Sequence, residues 1–189
     1  VERSRGLGDV YKRQMKPRTR GPRRRRRASK DTKEYIVQAI DVQDDIKNVL
    51  FSKEEINAKV AELAARIDED YAGKDVLLVG VLKGAIMIMA DLSRALKGHY
   101  TMDWMAVSSY GSGTKSSGVV RILKDLDTDL VGRNVLIVED IIDSGLTLAW
   151  LQQNLISRGA ASVEICTLLR KPKVVKADVE VKYVGWDLS

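Results

Sequence analysis

Two adjacent carboxylates, Glu139 and Asp140, directly follow the apolar run Val135–Val138. A carboxylate pair at the end of a buried strand has little structural use. It can accept hydrogen bonds from vicinal hydroxyls, as on a ribose, and it attracts Mg²⁺. Just beyond, Asp143-Ser144-Gly145-Leu146-Thr147 opens a segment with helical patterning. Free backbone N–H groups at a helix N-terminus, flanked by hydroxyls, suit a phosphate monoester. Asp143 and Ser144 would equally serve as caps of that helix, so the segment alone fits either use. Beside Glu139-Asp140 it points to a ribose-phosphate site. The GxxxxGK spacing of a Walker loop is absent.

The elements that must carry these residues are legible around them. Ser52 followed by Glu55 reads as a capping box. Ile56, Val60, Leu63, Ala64 and Ile67 then recur at helical spacing, which predicts a helix over 53–70. Val76–Leu82 is a continuous apolar run of strand length, the pattern of a strand buried on both faces. Helices are expected over 85–97 and over 145–158, the second closed by Gly159. Further strands are expected at 102–108, 135–138, 163–169 and 179–184, with 119–124 as a strand or the return arm of a Gly/Ser-rich mobile loop, 108–118. Alternating strands and helices predict an α/β fold with a mostly parallel sheet and helices on both faces.

Ligands of such sheets bind at the carboxyl ends of the strands. The residues just past each apolar run are therefore the candidates: Lys83 and Gly84; Ser109, Tyr110 and Gly111; Glu139, Asp140 and Asp143–Thr147; and Arg170, Lys171 and Pro172. The lone His99 reads as an exposed loop residue. Cys166, the single cysteine, excludes an internal disulfide and multi-cysteine zinc sites, and its apolar neighbours predict a buried strand thiol.

The net charge of +6 is unevenly spread. Residues 1–30 hold thirteen Lys/Arg against two acids, a net of +11, and residues 31–189 hold nineteen against twenty-four, a net of −5. The basicity thus sits in a tail that includes Arg23–Arg27 and lacks apolar periodicity, so disorder is expected there. No aromatics alternate with these charges to stack on bases, so nucleic acid is not expected as a partner. The stretch VERSRGLGDVYKRQ (1–14) resembles translated adapter sequence, and the tail is expected to be partly non-native. Residues 31–51 form an N-terminal segment and 52–189 the folded domain. No apolar run is long enough to cross a bilayer and no secretory signal is visible, so a cytoplasmic protein is expected.

The segment VLIVEDIIDSGLT (135–147) closely resembles the phosphoribosyl-pyrophosphate motif of type I phosphoribosyltransferases. LLVGVLKGA (77–85), VSSYGSGTKSSGVVRILKDLD (107–127) and LLRKP (168–172) resemble the bacterial hypoxanthine–guanine branch in order and spacing. The resemblance covers about residues 42–189. It implies the type I fold with a flexible active-site loop, and transfer of phosphoribose from phosphoribosyl pyrophosphate to hypoxanthine or guanine in purine salvage. It also implies Mg²⁺ as cofactor and a homo-oligomer, dimer or tetramer.

The resemblance assigns roles residue by residue. Glu139 and Asp140 would hold the ribose hydroxyls and, indirectly, the metal. Asp143 would exchange a proton with purine N7. Asp143, Ser144, Gly145, Leu146 and Thr147 would surround the 5′-phosphate. Lys83 and Gly84 would form the pyrophosphate loop, entered through a cis Leu82–Lys83 peptide. Ser109 and Tyr110 would belong to the loop that closes over the site. Lys171 would reach the purine 6-oxo group, since an ammonium donates hydrogen bonds and cannot accept one from an exocyclic amine.

The match ends at Val184-Gly185-Trp186-Asp187. The family pattern continues for roughly thirty residues more, supplying the purine-stacking aromatic, which Trp186 is not, and a metal-binding aspartate. A chain cut short at its C-terminus, with an incomplete hood and poor turnover, is therefore expected. Two other readings stay open: a xanthine phosphoribosyltransferase, and a phosphoribosyl-pyrophosphate-sensing regulator that binds nucleic acid. The net charge of −5 over 31–189 speaks against the regulator.

Overall fold

The computed structural model describes residues 47–110 and 119–188. The chain divides into Val1–Asn48 and Val49–Ser189, and the fold is that of the second unit. The expectations for the arginine tail, for most of the 31–51 segment and for the 111–118 part of the loop lie outside the described residues.

Helix α1 (Lys53–Asp70) begins at the expected capping box: Glu55 N–H donates to Ser52 Oγ (3.1 Å) and Ser52 N–H to Glu55 Oε2 (2.7 Å). It buries Val60, Leu63, Ala64 and Ile67 on one face. There follow β1 (Val76–Leu82), α2 (Ile86–Ala95), β2 (Tyr100–Tyr110), β3 (Val119–Lys124), β4 (Asn134–Ile142), α3 (Leu146–Ser157), β5 (Ser162–Arg170) and β6 (Tyr183–Asp187). They form one six-stranded sheet of order β3-β2-β1-β4-β5-β6. All neighbours are parallel except β2 and β3.

Alternate residues of the central strands point to two cores, which is why their sequences are apolar throughout. Leu78, Leu136, Val138, Cys166 and Tyr183 pack with α1 and α2. Leu77, Val79, Val135, Ile137 and Ile165 pack with α3. Full burial of each Val, Leu or Ile among them contributes about 1.5–3 kcal/mol. The buried acid Asp103 is fully engaged: its carboxylate accepts from the N–H groups of Trp104 (2.7 Å), Asp127 (2.9 Å) and Thr128 (3.0 Å), turning the chain from β3 towards β4.

Several boundaries differ from the sequence expectation. Strand β4 runs to Ile142 and not to Val138, because its pairing with β5 continues (Glu139↔Thr167, Ile141↔Leu169, Ile142↔Arg170) after β1 has dropped away at Gly80↔Val138. Strand β2 extends to Tyr110 because β3 lies antiparallel against it, Tyr110 opposite Val119. The last strand lies at Tyr183–Asp187 and not at 179–184. Val179 and Val181 pack against the α3-side core from an irregular segment, and the ladder with β5 starts only at Cys166↔Tyr183.

Candidate active site

The carboxyl ends of β1, β4 and β5 lie side by side and bring the predicted residues together. Beyond β4, a cavity of about 220 Å³ is lined by Glu139, Ile141, Asp143, Ser144, Gly145 and Thr147, among others. Gly145 occupies the N-cap of α3 at φ +75°, a left-handed conformation that a residue with a Cβ adopts only under strain. No side chain caps the helix. The capping role open to Asp143 and Ser144 is thus unused, and the first-turn N–H groups lack the side-chain acceptor that a cap would give them.

Glu139 and Asp140 lie within the second half of β4 instead of following it. Glu139 is half-buried, and burial, with the Asp140 charge adding to it, pushes its carboxyl up to about 8. Asp140 turns to β1. Its Oδ1 accepts from Ile141 N–H (2.8 Å), and its carboxylate lies against the backbone of Gly84. A Cβ on Gly84 would stand 2.7 Å from Asp140 Oδ2 and 2.8 Å from Oδ1, closer than van der Waals contact allows. The peptide Leu82–Lys83 is cis, as expected, and Lys83 is exposed beside this contact.

From β5, Lys171 extends its ammonium to 3.5 Å from Asp143 Oδ1, while its own N–H donates to Ile142 O (2.9 Å). A cationic donor and a carboxylate acceptor therefore sit side by side at one edge of the cavity. Both are exposed, so the pair itself adds little stability. Arg170, from the same turn, is directed elsewhere: it forms a two-pronged pair with Asp187 of β6 (2.7 and 3.0 Å). The backbones of Ser109 and Tyr110 end β2, and their side chains lie outside the described residues. His99 is exposed in the turn before β2.

Among the described residues, no three His, Cys, Asp or Glu side chains gather as a metal cage. The carboxylate oxygens of Glu139 and Asp140 are hard donors of the kind that Mg²⁺ prefers. A larger cavity, about 410 Å³, lies at the opposite end of the strands beside Asp68, Gly73, Asp75 and Tyr100. Its carboxylate Asp68 is already occupied by the N–H groups of Lys97 and Gly98 and by the Tyr100 hydroxyl.

Sequence reasoning missed Ile141. It lies two residues after Glu139 on the same strand face and gives the cavity an apolar wall. A period-of-two reading continued past Val138 would have found it.

Residues 48–188 match the model of the phosphoribosyl transferase domain. The chain is 57% identical over 150 residues to the hypoxanthine-guanine phosphoribosyltransferase of Mycobacterium tuberculosis, covering 76% of this chain and 74% of that protein. It is 50% identical over 147 residues to the enzyme of the same name from Streptococcus thermophilus, covering 78% and 82%. A crystal structure of a hypoxanthine phosphoribosyltransferase from Staphylococcus aureus superposes with a TM-score of 0.76 at 43% identity, covering 81% of this chain and 82% of that one.

Proposed function

This chain belongs to the phosphoribosyl transferase family, and from that premise we infer that it transfers the 5-phosphoribosyl group of phosphoribosyl pyrophosphate to hypoxanthine or guanine. The products are IMP or GMP and pyrophosphate, a purine-salvage reaction. The observation that carries this reading at the site is the single cluster formed by Glu139-Asp140, the uncapped turn Asp143–Thr147 and the Lys171–Asp143 pair.

In the reaction the bond from C1 of the sugar to the pyrophosphate oxygen breaks, and its electron pair leaves with pyrophosphate. A purine ring nitrogen forms the new bond to C1. Ser144, Gly145, Leu146 and Thr147 hold the 5′-phosphate through backbone N–H groups and hydroxyls. Glu139 and Asp140 accept hydrogen bonds from the ribose hydroxyls, and so orient C1 towards the base. Asp143 takes the N7 proton as the ring becomes a nucleoside base. Lys171 donates to the 6-oxo oxygen, next to N7 on the same purine edge. A donor and an acceptor 3.5 Å apart match that edge, and they mismatch adenine, whose 6-amino group is itself a donor.

Lys83 and the backbone of Gly84 bind the leaving pyrophosphate. When bound there, Mg²⁺ neutralises charge on the departing group, with Glu139 and Asp140 holding it only indirectly. Ser109 and Tyr110 are assigned to closing the site, which protects an oxocarbenium-like transition state from water. We further assign the protein to the cytoplasm as a dimer or tetramer. Ile86 and Met87, 44% and 72% exposed on the first turn of α2, are the apolar surface that supports a subunit contact. No helix among the described residues is long and apolar enough to cross a membrane.

The test is conversion of hypoxanthine, guanine, xanthine and adenine in the presence of phosphoribosyl pyrophosphate and Mg²⁺. Nucleotide from the first two and none from adenine supports the assignment. Preferred use of xanthine would move it to the neighbouring base specificity.

A further inference from the structure

The segment that joins β5 to β6 runs behind the turn assigned to the 5′-phosphate and is tied to it through the backbone. Ser144 O accepts two hydrogen bonds, from Lys176 N–H (2.9 Å) and Ala177 N–H (3.3 Å). Ile142 O accepts a third, from Lys171 N–H (2.9 Å). Side chains complete the support. A Cβ built on Gly145 would stand 3.2 Å from Val179 Cγ1, and 3.6 Å from both Ala177 Cβ and Val175 Cγ1. The left-handed Gly145 therefore has its back against an apolar wall.

The planarity of the peptide unit gives this arrangement a consequence. In a trans peptide the C=O and the N–H point in opposite directions. With Ser144 O held by two donors on the 176–177 side, the Gly145 N–H is aimed away from that side. A flip of the Ser144–Gly145 peptide would break both bonds and turn a carbonyl oxygen to where the N–H had pointed, which repels an anion.

We propose that segment 172–179 is a positioning element that locks the Ser144–Gly145 peptide in its anion-binding orientation, with the Lys176 N–H and the Val179 side chain as its nearest points of contact. The proposal rests on the assignment of Ser144–Thr147 to the 5′-phosphate. Because Lys171 immediately precedes this segment, the strap also joins the group assigned to the purine to the turn assigned to the phosphate.

The experiment measures the affinity of the folded protein for IMP and for pyrophosphate. Lys176→Pro deletes the stronger N–H donor, Lys176→Ala keeps it, and Val179→Ala removes the packing behind Gly145. Loss of one net hydrogen bond corresponds to about fivefold weaker IMP binding by Lys176→Pro. Val179→Ala is expected to shift IMP in the same direction, with Lys176→Ala at the parent value. Pyrophosphate affinity stays within about twofold throughout, since that ligand does not use the turn. Unchanged IMP affinity in both strap variants overturns the proposal, and so does equal loss of IMP and pyrophosphate, which is general loosening. Should Lys176→Pro lose its native circular dichroism, Val179→Ala decides alone. Thr147→Ala separates the layers: if it leaves IMP affinity intact, the phosphate assignment itself fails. If it weakens IMP while both strap variants do not, only the strap fails.

Discussion

The backbone of Gly84, at the end of β1, lies so close to the carboxylate of Asp140, in β4, that a single methyl group on Gly84 would stand 2.7 Å from Asp140 Oδ2. The residue assigned to pyrophosphate and the residue assigned to ribose thus share one steric boundary. Asp140 also holds its own neighbour, accepting from Ile141 N–H at 2.8 Å, so a push on the carboxylate is passed into the β4 end.

Gly84→Ala is therefore expected to lower kcat/KM for phosphoribosyl pyrophosphate by about tenfold to a hundredfold, the usual cost of displacing a positioned group by a fraction of an ångström. The melting temperature should change little, because Gly84 is exposed. In a double-mutant cycle with Asp140→Asn the two losses should be strongly non-additive. Additive losses would separate the two residues.

Glu139, pushed up to about 8 by burial and by Asp140, holds a proton at neutral pH that its unfolded counterpart, near 4.5, has lost. The folded state binds the extra proton between these values, so stability is full below about 4.5 and falls as pH rises through about 8. Unfolding by urea at a series of pH values should show this decline, and Glu139→Gln should flatten it. Ribose hydroxyls favour the carboxylate, so IMP binding at pH 7 should release a proton, visible as a buffer-dependent calorimetric enthalpy. A binding enthalpy independent of buffer ionisation contradicts the assignment of Glu139 to ribose.

Lys171→Met removes the donor assigned to the 6-oxo group and, at the 5′-phosphate turn, only the ion pair with Asp143. The KM for hypoxanthine should rise by about tenfold to a hundredfold, as for loss of a charged hydrogen bond. The KM for phosphoribosyl pyrophosphate should stay near its parent value. Stability should change by less than about 1 kcal/mol, because the pair with Asp143 is exposed at both ends.

Cys166 is wholly buried, and its thiol is pushed up to about 12 by that burial. It should resist thiol reagents in the native protein at pH 8 and react stoichiometrically in denaturant. Being the single cysteine, it reports directly on opening of the α1/α2-side core.

What was legible in the sequence depended on how far apart the interacting residues lie along the chain. The Ser52–Glu55 box and the α1 stripe are local, and so were readable. The strand identity of Val76–Leu82 was readable because burial on both faces leaves no polar alternation. The site residues could be named because strand ends in such sheets face the ligand, and because the motif resemblance supplied roles. The end of β4 was misplaced because pairing with β5, not local polarity, carries that strand through Glu139 and Asp140. Val179 and Val181 imitated a strand, since alternating apolar residues suit an irregular segment packed on the core equally well. The contacts of Gly145 with Val175, Ala177 and Val179, and of Gly84 with Asp140, join residues far apart in sequence and left no local signal.

The reaction assigned to this chain joins phosphoribose to 6-oxopurines. It is tested most directly under single-turnover conditions, with enzyme in excess over labelled hypoxanthine, guanine or adenine and with phosphoribosyl pyrophosphate and Mg²⁺ present, so that even a slow chemical step is counted. IMP and GMP, each formed with one equivalent of pyrophosphate, are expected, and no AMP. Conversion of adenine in preference to both 6-oxopurines, or no nucleotide from any of the three bases, would contradict it.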